Sequence, residues 1–359
     1  MVRYGIRQIK FGRKKQMDNE QRQVFWDTLI SLDGKNLEAD CKRLQETIMF
    51  PKYLYRYRPA SLKSIEALRT NRLYFSTANY YDDPFDTFIN IDLQDMKRVF
   101  DELSQNYEEE KIFEAGKAFL TNIAPGAFSD EMIEKMVHAL GDVLSNSSFR
   151  FEALQFVRNI RNEVKKDIWS VCFSENGFNE ALWLKYAQQH KGFAVQYDLE
   201  RPELLLCGAE EKCKECGVLK WGTPLYPVYY SDQQYNGTKY GQFISYCLLL
   251  SKLQSTIPIQ SNNMITYLIA AYGNMNWEKE RITLIKKRCH QYDEEWRIIL
   301  NCAMKGPVMR EWIPSGVILG LNMDEAERNL TIAAAKEAGV TNIYQSFIDD
   351  KGLLNAFTL

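Results

Sequence analysis

Residues 292–299 read YDEEWRII. Strand alternation sends Asp293, Glu295 and Arg297 to one face and Glu294, Trp296 and Ile298 to the other. Two carboxylates side by side at the mouth of a strand repel, so something must compensate, and Arg297 is the local candidate. One reading is a structural ion pair. The other is a carboxylate held to steady positive charge developing on a sugar ring.

A second group lies in NRLYFSTANYYDDPFD, residues 71–86. Leu73, Tyr74 and Phe75 are strand formers, and the chain then presents Ser76, Thr77, Tyr80, Tyr81, Asp82, Asp83 and Asp86 around Pro84. Asp before Pro also starts turns, its carboxylate bonding an N–H two residues on. In PKYLYRYRP, residues 51–59, alternation places Leu54, Arg56 and Arg58 on one face and three tyrosines on the other. Trp183, Tyr186 and His190 fall at i, i+3 and i+7, on one face of an expected helix. Packing on a sheet explains that stripe as well as ligand binding does. Cys213 and Cys216 form a C-x-x-C near Cys207, with Cys289 and His290 as distant partners. That is half of a zinc spacing; solvent-loop thiols are the plainer reading, and no metal is assigned.

These pieces need elements to hold them. The 359 residues suffice for one large domain or two ordinary ones, and 45% hydrophobic with 26% charged residues is a globular composition. The net charge of −2 gives no global pull toward nucleic acid or an anionic membrane. Residues 1–16 are the local exception, with six cations and no acid. No apolar run is long enough to span a bilayer, and no secretory h-region opens the chain, so a cytoplasmic protein with reduced thiols is expected.

Residues 1–50 read as a basic tail and two helices broken at Asp33-Gly34. An α+β core over 51–320 follows, with a mixed sheet and a helical insertion at 93–167. Residues 321–359 read as a C-terminal helix and tail packed on the core.

The ordered pieces YLYRYR, NRLYFSTANYYDDPFD, WSVCFSE, LWLKYAQQHKGFAVQYD, YPVYY and YDEEWRI resemble the bacterial domain-of-unknown-function family numbered 2971. They cover roughly residues 52–300. That family usually shows Asn-Asp-Pro where this chain has Asp82-Asp83-Pro84, Glu-x-Glu at Asp293-x-Glu295, and tends to Lys at Arg56. A weaker likeness, to ADP-ribosyltransferases of the Arg-Ser-Glu type, rests on motif order. It implies a split sheet and NAD as substrate. It also implies Glu295 as the catalytic carboxylate, Asp293 positioning an acceptor, and Ser76 on the nicotinamide ribose. Arg58, beside Arg56, would hold the pyrophosphate, with Tyr80 or Tyr81 stacking on nicotinamide. Thr77, Asp83, Tyr186 and His190 complete the expected binding set. The partners implied are NAD or a related nucleotide and a protein or nucleic-acid acceptor, with no membrane, in a toxin or phage-defence setting. Two alternatives stand beside it. One is a metal-dependent nuclease using Asp82, Asp83, Asp86 or Glu294-Glu295; the other is a non-catalytic nucleotide sensor.

Overall fold

A computed structural model describes residues 17–92, 159–199, 225–244, 275–300 and 309–359, with isolated positions between 94 and 155 and at 247. The basic stretch 1–16, Cys207, Cys213, Cys216 and most of the expected insertion lie outside the described residues. Of that insertion, 159–167 is helical.

Local signals set the first elements. Asp18 accepts the Gln21 N–H in a capping box that opens α1 (Asn19–Ser31), and Asn36 caps α2 (Leu37–Thr47). The alternating β1 (Tyr53–Arg58) follows, then α3 (Leu62–Arg69), capped by Ser61. Next come β2 (Arg72–Tyr74) and β3 (Ser76–Thr77). Beyond the insertion lie β4 (Trp169–Ser174), α4 (Glu180–Tyr186), β5 (Phe193–Asp198), β6 (Leu225–Pro227) and β7 (Tyr229–Tyr230). The last third holds α5 (Glu278–Thr283), β8 (Ile285–Lys286), a 3₁₀ turn at Arg288–Asp293 and β9 (Glu295–Leu300). It ends with β10 (Met309–Glu311), β11 (Gly316–Leu319), α6 (Glu325–Glu337), β12 (Asn342–Ile348) and β13 (Leu354–Thr358).

The fold is α+β around a mixed, mostly antiparallel sheet. Its strand order is β13-β12-β11-β5-β1-β4-β9-β6, with β3 joined to β4. Among the described residues, only β11 and β12 run parallel within it, through the α6 crossover. On one face α1 and α2 bury Phe25, Leu29 and Leu44 with Leu54, Phe173 and Trp296. On the other, Leu182 and Trp183 of α4 pack against Tyr55, Tyr57 and Ile318.

Where the sheet parts matters most. β1 follows β5 through six register pairs, from Tyr53↔Asp198 to Arg58↔Phe193, but meets β4 at Tyr55↔Ser174 alone. Past that pair the two strands diverge. Gly192 keeps β1 against the turn before β5, because a Cβ there would stand 2.1 Å from the Arg58 carbonyl oxygen.

Two expectations need correction. The helix bearing Trp183 and Tyr186 ends at Tyr186, and Gln188, Gln189 and His190 run with positive φ, so His190 does not extend its face. The segment read as a C-terminal tail instead forms β12 and β13, a hairpin that edges the sheet. Among the described residues, no helix is long and apolar enough to cross a membrane.

Candidate functional site

The parting of β1 and β4 opens into a cavity of about 330 Å³. Arg56, Tyr57 and Arg58 form one wall, and Ser170, Cys172 and Ser174 of β4 form the floor. Ser76 and the loop carrying Tyr80, Tyr81, Asp82, Asp83 and Asp86 close one side, while Lys286, Asp293 and Glu295 face them. Lys185 and Tyr186 line it from α4. Residues far apart in sequence thus meet because β1, β4 and β9 are neighbours in the sheet.

The acidic wall is an ion network. Asp293 ends the 3₁₀ turn, Glu294 adopts a left-handed φ of 46°, and Glu295 begins β9. That single left-handed residue lets both flanking carboxylates reach Lys286 Nζ, Asp293 at 2.7 Å and Glu295 at 3.0 Å. The other Glu295 oxygen takes the Arg297 Nε–H at 2.7 Å. Arg297 also grips Asp86 with two N–H groups, at 2.8 and 2.7 Å. Three carboxylates therefore share two buried cations.

Their surroundings push the two candidate carboxyls apart. Burial works to raise Glu295, but Arg297 and Lys286 overcome it and hold this carboxyl well below the usual range. For Asp293 burial wins, and its carboxyl sits above the usual value despite Lys286. Lys286 is the converse: burial opposes its charge, yet Glu295 and Asp86 keep the ammonium protonated. One carboxyl held low by two cations beside one raised by burial is an arrangement that can divide charge stabilisation from proton transfer.

The backbone of Glu295 is fixed at both ends. Its N–H donates to the Tyr230 hydroxyl at 2.7 Å, and its carbonyl accepts from Arg22 Nη1 at 2.8 Å and from the Val228 N–H at 3.0 Å. Arg22, on α1 and 2% exposed, also donates to the carbonyls of Met17 and Val228 and pairs with Glu175.

The opposite wall carries charge without compensation. Arg56 donates to the Tyr74 carbonyl at 3.1 Å, and among the described residues neither it nor Arg58 forms an ion pair with a carboxylate. Burial pushes both guanidinium groups down from their ordinary value, and for Arg56 the adjacent Arg58 charge adds to this. A guanidinium stays protonated in proteins, so the shift expresses unrelieved positive charge that a bound anion would relieve.

Of the residues expected from sequence, the cavity gathers Arg56, Arg58, Ser76, Tyr80, Tyr81, Asp83, Tyr186, Asp293 and Glu295. Two fall outside it. Thr77 is buried with its hydroxyl on the Asn79 side chain, and His190 stacks on Trp183 at 5.7 Å. Tyr81 lines the cavity but is already engaged, its hydroxyl on Ser170 and its ring 5.2 Å from the Arg297 guanidinium. Tyr80 is 77% exposed and is the ring free to stack. Asp83 accepts the Phe85 N–H at 2.8 Å, the Asp-Pro turn expected of it, and faces His290 Nε2 at 3.1 Å. No metal-binding group of His, Cys, Asp or Glu occurs among the described residues, and Cys289 is exposed.

Sequence reasoning missed Lys286 and Arg22 and weighed Asp86 only as a metal ligand. Lys286 sits in KKR, which reads as an exposed basic run, and Arg22 reads as an ordinary helix residue. Neither carries a local signal. No family model matches the chain, and neither the curated proteins nor the solved structures give a match.

Proposed function

We propose that the cleft binds NAD and cleaves its nicotinamide–ribose bond, releasing ADP-ribose or transferring it, on a scaffold of ADP-ribosyltransferase type. The observation that carries this reading is the polarity of one cavity. Two guanidinium groups that have no acid partner among the described residues line the cavity with a buried, ionised Glu295, together with Ser76 and the Tyr80 ring. Phosphates suit the first wall, since guanidinium forks match their geometry. A sugar carbon developing positive charge suits the second. A cavity of about 330 Å³ is small for a ligand site. It houses the nicotinamide ribose and adjoining phosphates and leaves the adenosine half at the mouth.

In this reading the bond between C1′ and the nicotinamide nitrogen breaks, and its electron pair leaves with nicotinamide. Glu295 stabilises the oxocarbenium charge on the ribose. Water or another nucleophile then forms the new bond to C1′, and its proton passes to Asp293 and on to solvent. Lys286 and Arg297 orient the Glu295 carboxylate, and Arg22 and Tyr230 fix the peptide that carries it. The nuclease alternative is less well supported, because both Glu295 oxygens and both Asp86 oxygens already meet cationic nitrogens. A divalent cation would have to displace them.

The test is nicotinamide release from NAD by the purified chain. Time-dependent release that scales with protein supports the reading. Undiminished nucleotide binding without release under any trigger would leave a sensor module instead.

A further inference from the structure

The aromatic side chains that stay exposed are not scattered. Among the described residues, the exposed aromatic rings are Tyr80 (77%), Phe85 (53%), Tyr186 (37%) and Tyr292 (47%). Tyr80 and Tyr186 line the cavity, while Phe85 and Tyr292 are the immediate neighbours of its lining residues Asp86 and Asp293. The rings come from separate elements: the turn after β3, the Asp-Pro loop, α4 and the 3₁₀ turn before β9. None of the exposed aliphatic side chains among the described residues lines the cavity. Two rings carry cations: Lys287 Nζ lies 3.7 Å from the Phe85 centroid and Lys185 Nζ 4.9 Å from that of Tyr186. Arg288, its side chain 59% exposed and 3.5 Å from the Asp232 carboxylate, follows Lys287 in sequence.

Exposing large rings costs solvation free energy, and gathering them around one opening concentrates that cost where a ligand can relieve it. A peptide partner would favour aliphatic anchors, and among the described residues Leu184, beside Lys185, is the one exposed aliphatic next to a lining residue, against four rings. Rings interleaved with lysines instead match unpaired bases that stack and phosphates that seek positive charge. We propose that the mouth of the cleft is a binding platform for single-stranded nucleic acid. Building on the NAD reading above, the same strand supplies the acceptor. A base nitrogen forms the new bond to C1′ as the nicotinamide bond breaks, nicotinamide leaves with the electron pair, and the base N–H proton goes to Asp293 and solvent. A duplex hides the faces that the rings need, so the platform selects single strands.

The experiment measures fluorescence anisotropy of labelled single-stranded DNA and RNA twelve-mers, the matching duplexes, and polyphosphate as a bare polyanion, with no NAD present. Single strands should bind at least tenfold more tightly than either control. Phe85→Ala and Tyr292→Ala should each weaken single-strand binding about tenfold, within the range for loss of one stacked base. Nicotinamide release into water should stay unchanged in both, because neither residue lines the cavity. Equal affinity for strand, duplex and polyphosphate, or ring variants that bind as the wild type does, would overturn the platform. Labelled NAD that marks proteins in an extract and never the oligonucleotide would overturn the strand as the acceptor. Strand binding without any NAD turnover would sink the enzyme reading and leave the platform standing, so the two failures are separate.

Discussion

Arg297→Met removes the charge that two buried carboxylates share while keeping much of the side-chain bulk. Arg297 is fully buried; it donates to Glu295 at 2.7 Å, to both Asp86 oxygens at 2.8 and 2.7 Å, and to the Thr283 carbonyl at 2.8 Å. Taking one partner from a buried pair costs about 3–5 kcal/mol, because the opposite charge stays in the interior. Lys286 remains 3.0 Å from Glu295 and 3.5 Å from Asp86, which keeps the loss near the lower end. About 3 kcal/mol is roughly a hundredfold rise in the unfolded-to-folded ratio. The pH dependence follows from Glu295. In the wild type its folded value lies below the unfolded one, so its contribution is present above the unfolded value and is lost as pH falls through the folded one. In the variant burial is no longer offset by the guanidinium, the folded value rises, and protonation then favours folding. The stability gap between variant and wild type should therefore narrow from pH 7 to pH 5. Urea denaturation followed by tryptophan fluorescence reads both quantities. A loss within the ~1 kcal/mol of a surface ion pair, or a gap that widens on acidification, would refute the reasoning.

Two further outcomes follow from the same geometry. Arg58→Ala should weaken NAD and ADP-ribose binding about 10–100-fold by calorimetry, the scale of a lost charge-assisted hydrogen bond, with stability little changed; unaltered affinity would place the phosphates elsewhere. Arg22→Met should lower nicotinamide release at saturating NAD more than it raises KM, since Arg22 holds the Glu295 carbonyl and does not line the cavity beside Arg56 and Arg58; an equal effect on both would make Arg22 a purely structural residue.

Much of the sheet could be read from local pattern. Alternation in YLYRYR and the apolar run of WSVCFS ending at Ser174 placed β1 and β4. The DEEWR alternation correctly put Glu295 and Arg297 side by side. What pattern could not supply was pairing across long sequence separations. Asp86 lies 211 residues from the Arg297 it grips, and Arg22 lies 273 residues from the carbonyl it holds. Lys286 is buried on β8, which pairs with β7 in a two-residue ladder too short to show periodicity. His190 failed for a different reason: the helical period continues in the sequence past Tyr186, whereas the backbone enters a left-handed run. The C-terminal hairpin was legible and overlooked. Alternating residues flank Asp349-Asp350-Lys351-Gly352, and Gly352 takes the positive φ of 76° that such a turn requires.

The central claim is that the ionised Glu295 carboxylate stabilises charge developing on the ribose. Its most direct test is nicotinamide release from NAD by the wild type and by Glu295→Gln, with binding measured in parallel. Glutamine keeps the shape and removes the charge, so turnover at saturating NAD should fall at least ~10²-fold while NAD affinity stays within a few-fold. A folded Glu295→Gln protein that releases nicotinamide at the wild-type rate would contradict the account, as would a wild-type protein that binds NAD and leaves it intact.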